Sequence, residues 1–326
     1  MRLPMKLSGY LAQFLDHLEI ERNRSLRTRE NYRFYLERFI GWAKDPSPER
    51  VSGDVVREYR LWLNRLTDAH GEPLKKNTQN YHLIALRSFL KYLARRDVKS
   101  LSAEKIELGR MPERQVEFLE PGELGRLLDA PLKDPRGTMS EKLSPVMLRD
   151  KAMLELLFST GLRVSELAGL KREQVNLDRD EFSVRGKGAK LRVVFLSHQA
   201  KYWLKQYLGK RGDVSPSLFV AHDRAQKGRD GGVTGLTPRS VQRVVERYAR
   251  IAGITKKITP HTLRHTFATD LLMNGADIRS VQSLLGHSSI TTTQVYTHIT
   301  NQRLREIHAE YHGKGRKEER GKIKED

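Results

Sequence analysis

The chain is predicted to be mainly α-helical with one small β-sheet, an α+β arrangement in two domains. Three features of the sequence lead there. Apolar residues recur at the helical period through the first hundred positions, a single alternating stretch near position 190 flanks a glycine-containing turn, and a loosened, charged stretch divides the 326 residues near position 110. That length is sufficient for two domains of ordinary size, each with its own core.

Leu7, Leu11, Phe14, Leu15 and Leu18 mark the inner face of a first helix, and Tyr32, Leu36, Phe39, Ile40 and Ala43 that of a second. A third is expected after Asp54, burying Val55, Tyr59, Trp62, Leu63 and Leu66. A fourth is expected from Asn77 as N-cap, burying Tyr81, Ile84, Ala85, Ser88, Phe89, Tyr92 and Leu93. Residues 1–100 are therefore assigned to a helical domain. Residues 101–119, charged and interrupted by Gly109 and Pro112, are assigned to a linker. The second domain is expected over 120–312. Its first helix begins at Glu120-Pro121, with proline in the first turn and Leu124, Leu127 and Leu128 inward.

A polar loop at 133–145 leads to an apolar helix at 149–158 that stops at Gly161, and a further helix starts near Val164. Phe182-Ser183-Val184 and the run from Leu191 to Leu196 form a hairpin around Gly186-Lys187-Gly188-Ala189-Lys190. Helices follow over 199–208, 239–252, 262–273 and 278–285, with a glycine-rich charged loop at 225–235. Residues 313–326 are almost wholly charged and are expected to lack fixed structure.

Lys and Arg number 60 against 40 Asp and Glu, a formal charge of +20. Such an excess is self-repulsive unless a polyanion lies against it, so nucleic acid is the first partner to consider. The basic residues of the first domain cluster in turns and on solvent sides, and Arg27, Arg29, Arg33, Lys75, Lys76, Arg87 and Lys91 are assigned to DNA contact. No apolar run approaches the ~20 residues that span a bilayer, so membrane insertion is not expected. Asp16 and Glu19 break the apolar N-terminus, which does not read as a signal peptide. The chain contains no cysteine, which removes disulfides, thiolate zinc sites and cysteine nucleophiles from consideration.

Four short segments carry the chemistry. Arg163 stands in Thr160-Gly161-Leu162-Arg163-Val164-Ser165-Glu166-Leu167, where Glu166 is one turn away and able to hold it. His261 and Arg264 stand in His261-Thr262-Leu263-Arg264-His265, behind Pro260 at a helix entrance. His287 ends Leu284-Leu285-Gly286-His287, and Tyr296 follows it by nine positions. One phenol, two guanidiniums and two imidazoles, without the acidic cluster that metal-dependent phosphate chemistry needs, suit attack of a tyrosine on a phosphodiester. Neither a metal nor any other cofactor is expected.

These segments resemble the tyrosine recombinases, or phage integrase family, and most closely the Xer-type site-specific recombinases. Thr160 to Leu167 is similar to the family's first arginine box, and His261 to His265 with Leu284 to His287 and Tyr296 to the second. Lys187 is similar to the family's β-turn lysine, and it falls 24 positions after Arg163. The resemblance implies a four-helix, SAM-like core-binding domain followed by a catalytic domain. It also implies roles. Tyr296 is the nucleophile that forms a 3′-phosphotyrosine, Arg163 and Arg264 stabilise the pentacoordinate phosphate, and Lys187 donates the proton to the leaving 5′-oxygen. His261 is a general base or phosphate ligand, His287 a phosphate hydrogen-bond donor, and Glu166 a support for Arg163. His265 is read as structural.

By the same resemblance the protein closes on double-stranded DNA and exchanges strands through a Holliday junction. It would act as a homotetramer on two sites or a heterotetramer with a related recombinase, in the cytoplasm at the nucleoid. The segment 301–312, with Leu304 and Ile307, is the helix expected to dock on a neighbouring protomer. Resolution of chromosome or plasmid multimers and integration of a mobile element are the implied settings. Other readings are weaker. A zinc hydrolase using His261, His265 and His287 lacks the general-base Glu of His-Glu-x-x-His, and a binding-only module needs no tyrosine at this offset. A type IB topoisomerase shares the chemistry, but not the separate helical domain with Xer-like boxes.

Overall fold

A computed structural model of the chain describes residues 5–67, 71–110, 117–133, 137–186, 191–222 and 233–286. It comprises two compact units, Met1–Glu113 and Arg114–Asp326. Helices dominate both.

The first unit is built from α1 (Leu7–Ile20), α2 (Leu26–Trp42), α3 (Gly53–Arg65) and α4 (Lys76–Ala94). Ser25 caps α2 by accepting from the Thr28 amide, and Ser52 caps α3 by accepting from the Val55 amide. The serine thus starts α3 ahead of Asp54, which falls in the first turn where its charge favours the helix N-terminus. Helix α4 differs more from expectation. Its N-cap is Lys75, without a side-chain cap, rather than Asn77, and Tyr81 and Ile84 face solvent. The cause is its central place. It packs against α1, α2 and α3 together, so its inward stripe is broad and centred on Leu86, with Leu83, Phe89, Leu90 and Leu93 beside it. Tyr81 and Ile84 lie nearly opposite Leu86 around the helix.

Phe14 sits between Phe89 and Tyr92, each ring 5.3 Å away, and Phe39 meets Tyr59 edge-on at 4.9 Å. After α4 the chain stays on this core. Leu101, Ala103 and Ile106 pack against it. The Asn80 amide then brackets Gly109, donating to its carbonyl at 2.9 Å and accepting from its N–H at 3.0 Å.

His82 is buried in this unit, with its Nδ1 2.8 Å from the Thr78 carbonyl and its Nε2 3.4 Å from Arg38 Nη1. A carbonyl can only accept and a guanidinium can only donate, so the ring is the neutral tautomer carrying its proton on Nδ1. Burial, reinforced by the Arg38 charge, lowers its pKa, with the Thr78 hydrogen bond opposing. Below about pH 6.5 the unfolded chain takes up a proton that the folded unit refuses. Stability therefore falls as pH drops from there towards the folded value, by up to about 1.4 kcal/mol per pH unit. In a Trp203→Phe background the reporting tryptophans are Trp42 and Trp62, both in this unit. Urea unfolding between pH 7 and about pH 5 should show this loss, and His82→Gln should remove it. An identical pH slope in the variant would refute the assignment.

The second unit holds α5 (Pro121–Asp129), α6 (Pro145–Thr160), α7 (Val164–Gly169), β1 (Glu181–Arg185), β2 (Leu191–Phe195), α8 (His198–Lys210), α9 (Pro238–Ile251), α10 (Pro260–Met273) and α11 (Ile278–Leu285). The helix α6 is its axis, with α5, α8, α10 and β2 packed around it. It buries charge as well as Leu and Met, and each buried charge is paired. Arg149 donates to Asp150 at 2.8 Å and to the Val220 carbonyl at 3.0 Å, and Tyr248 donates to Asp150 at 3.0 Å. Lys151 lies 2.8 Å from Glu155 and 3.1 Å from Asp129.

The helix α6 stops at Gly161, whose φ of +57° is the left-handed conformation that favours glycine. A Cβ there would lie 2.5 Å from the Phe267 ring, so the same glycine lets α10 come close. Strands β1 and β2 form the antiparallel hairpin, Phe182 opposite Val194 and Val184 opposite Arg192. Helix α11 packs on α10 through Ala268, Leu272, Val281 and Leu285.

Candidate active site

The site grows from the C-terminal end of α11. A helix end leaves its last carbonyls without intrahelical partners and carries partial negative charge, so it attracts cations. Here three successive carbonyls take three different arginines. Arg192 of β2 donates through Nε to Leu284 at 3.1 Å, Arg264 of α10 through Nη2 to Leu285 at 2.5 Å, and Arg163 at the N-cap of α7 through Nη2 to Gly286 at 3.3 Å. Arg264 also donates to the carbonyl of Gly161 at the end of α6. Two helix ends thus meet on one guanidinium.

Glu166 balances part of this charge. Its carboxylate is 6% exposed and receives Arg192 in a two-pronged pairing at 2.9 Å on each oxygen. It also accepts from the Arg163 side chain at 2.8 Å and from the Arg163 backbone N–H at 2.9 Å. Burial alone would push its pKa up, but the hydrogen bonds from Arg192 and Arg163 outweigh that and hold it below the usual carboxylate range.

Arg163 retains 31% exposure in its side chain, whereas Arg264 is only 2% exposed as a residue. Three guanidiniums thus gather at one helix end, and two of them, Arg163 and Arg192, share the carboxylate of Glu166. Such a cluster suits a phosphate that gains negative charge in its transition state.

The histidines enter from α10. Thr259 caps the helix and Pro260 occupies its first turn, which sets His261 at the exposed start, where a helix N-terminus favours an anion. Its ring lies edge-on to that of His265, centroids 4.3 Å apart. His265, read from sequence as structural, therefore sits directly against His261 and restricts it.

Among the sequence-derived site residues, the structure joins Arg163, Glu166 and Arg264 in one hydrogen-bonded group. Lys187, His287 and Tyr296 lie outside the described residues, as do the segments 301–312 and 313–326. Arg192 was missed. Its signal was faint, a cation within an apolar strand, because Leu191, Val193 and Phe195 suggest the buried face whereas all three are exposed. Arg192 and Val194 point inward instead.

In the first unit, Arg27, Arg33, Lys75 and Lys76 are exposed and Arg87 is half-buried. Arg29 is taken up by Glu19 at 2.9 Å and Asp16 at 3.4 Å, and Lys91 by Glu104 at 3.2 Å. No helix among the described residues is long and apolar enough to cross a membrane.

Residues 117–303 match the phage integrase family, and residues 11–97 match the N-terminal SAM-like domain of phage integrases. Tyrosine recombinase XerD of Chlorobaculum tepidum is 38% identical over 94% of this chain and 96% of its own length. Tyrosine recombinase XerC of Thermodesulfovibrio yellowstonii is 35% identical over 95% of this chain and 98% of its own. In structure, the XerH site-specific recombinase bound to its difH substrate before cleavage aligns with a TM-score of 0.64. It is 25% identical, over 94% of this chain and 84% of that one.

Proposed function

Because this chain belongs to the phage integrase family of tyrosine recombinases, we propose that its arginine cluster holds the scissile phosphate of a recombination site while Tyr296 attacks it. The chain is a site-specific recombinase that binds double-stranded DNA, cleaves it and rejoins it. The observation that supports this use of the site is the convergence of Arg163, Arg192 and Arg264 on the end of α11, one residue before His287.

The Tyr296 oxygen forms a bond to phosphorus as the bond from phosphorus to the 5′-oxygen breaks. Arg163 and Arg264 neutralise the charge that develops on the equatorial oxygens. The phenolic proton passes to His261, and the departing 5′-oxygen takes a proton from Lys187. His287 donates a hydrogen bond to the phosphate. The 3′-phosphotyrosine conserves the bond energy, so a 5′-hydroxyl of the partner duplex can attack in turn and give a Holliday junction without ATP. Four protomers on two sites, alone or with a related recombinase, and residues 301–312 docking on a neighbour complete the proposal, which places the reaction in the cytoplasm at the nucleoid. Xer-like resolution of DNA multimers and integration of a mobile element are the settings it fits.

The test begins with the chain in its own cells. Covalent protein–DNA adducts trapped by denaturation are sequenced to give the site, which is then built into a nicked duplex. The chain should accumulate on that duplex through a 3′-phosphotyrosine at the same rate with EDTA as without it. Attachment through a 5′-phosphate, or cleavage that stops in EDTA, would overturn the reading.

A further inference from the structure

One residue of the cluster has no part in the mechanism above. Arg192 is 9% exposed in its side chain, too enclosed to be a free DNA-binding arginine, and its donors are directed inward. Nη1 and Nη2 take both oxygens of Glu166 and Nε takes the carbonyl of Leu284. Glu166 in turn holds both the backbone and the guanidinium of Arg163. The close fit extends to Gly286, where an added Cβ would come within 2.8 Å of the Arg192 side chain. That glycine has a φ of +63° and directly precedes His287.

We propose that Arg192 is a positioning residue for strand cleavage, bridging the Glu166 carboxylate that orients Arg163 to the end of α11 that leads into His287. The inference rests on the reading of the site given above. It also ties the lysine turn to the arginines, since Arg192 lies on the strand that leaves that turn, five positions after Lys187. Only an arginine makes the bridge. A planar guanidinium presents two N–H groups to a carboxylate while a third points elsewhere, whereas an ammonium is a point charge that satisfies one partner well.

Arg192→Lys should therefore keep the fold and bind the recombination site within about twofold of the parent, yet form the covalent adduct on the order of 100-fold more slowly, the scale of a small misplacement of catalytic groups. Arg192→Met should be slower still. A structural role alone would not move the pH profile. Among the described residues, the charged groups that pair with Glu166 are Arg163 at the N-cap of its own helix and Arg192 from β2. With Arg192 gone, burial is less opposed and the carboxyl protonates at higher pH. The acid limb of the cleavage-rate profile should shift upward in Arg192→Met, and no such shift should follow when the substitution is made in Glu166→Gln.

Cleavage by both variants at the parent rate would overturn the inference. So would a loss that tracks the unfolded fraction with an unchanged pH profile. If Arg192→Met does not fold, the cleavage rate of Arg192→Lys decides, since a folded lysine variant that cleaves at the parent rate overturns the inference. Failure of the unsubstituted chain to form any adduct would instead sink the reading of the whole site.

Discussion

Tyr296→Phe should bind the recombination site as the parent chain does and form no covalent adduct with it. The change removes one oxygen and leaves the ring, so binding is expected to stay within about twofold, because phosphate contacts from Lys and Arg dominate DNA affinity. Cleavage should fall by on the order of 10⁴-fold or more, the scale seen when a nucleophile is deleted from an otherwise intact site. The remaining cations cannot substitute. A phenol with a pKa near 10 becomes a competent nucleophile only where a base accepts its proton and positive charge stabilises the product. Arg163 and Arg264 supply that charge around the end of α11, but neither of them can form the bond. The readout is a denaturing gel of labelled suicide duplex beside a binding titration on the same preparation. An adduct of undiminished yield would remove Tyr296 as the nucleophile.

What could be read from the sequence was what is local along it. Arg163 and Glu166 are three positions apart across one helical turn, and the spacing alone suggested the contact that the structure contains. Gly161 and Pro260 are helix punctuation, and each stands where a helix ends or begins. Arg192 illustrates the opposite case. Its partners Glu166 and Leu284 are 26 and 92 positions away, so no window along the chain contains the reason for its orientation. The alternation around it points the wrong way because a carboxylate and a helix end draw the arginine inward, and the apolar Leu191, Val193 and Phe195 are turned out. The misplaced Tyr81 and Ile84 of α4 have a related cause. Periodicity locates a stripe, but which of several stripes is buried depends on how many neighbours the helix has. His265 was legible as a histidine one turn from His261, but not as its ring neighbour.

Arg264→Lys should injure both the fold and the reaction, and Arg163→Lys the reaction alone. The two arginines share a proposed role but not an environment. Arg264 is almost wholly buried and joins the carbonyl of Gly161 to that of Leu285, so it connects the ends of α6 and α11. A lysine cannot reach both, and an orphaned buried carbonyl costs about 1–3 kcal/mol. For a unit of roughly 200 residues that is a fall in Tm of about 2–12 °C. Arg163 is partly exposed, and its Glu166 partner retains Arg192 when Arg163 is changed. Its replacement by lysine should therefore shift Tm by no more than about 2 °C, within the range expected of exposed positions. Either substitution should slow adduct formation by on the order of 10²–10³-fold, because a forked donor to the equatorial oxygens is replaced by a single charge. Thermal unfolding and single-turnover cleavage on the same two proteins separate the effects. Equal losses of stability would mean that the burial difference has no energetic consequence. Undiminished cleavage by a folded Arg264→Lys would mean that this guanidinium serves only to join the two helix ends.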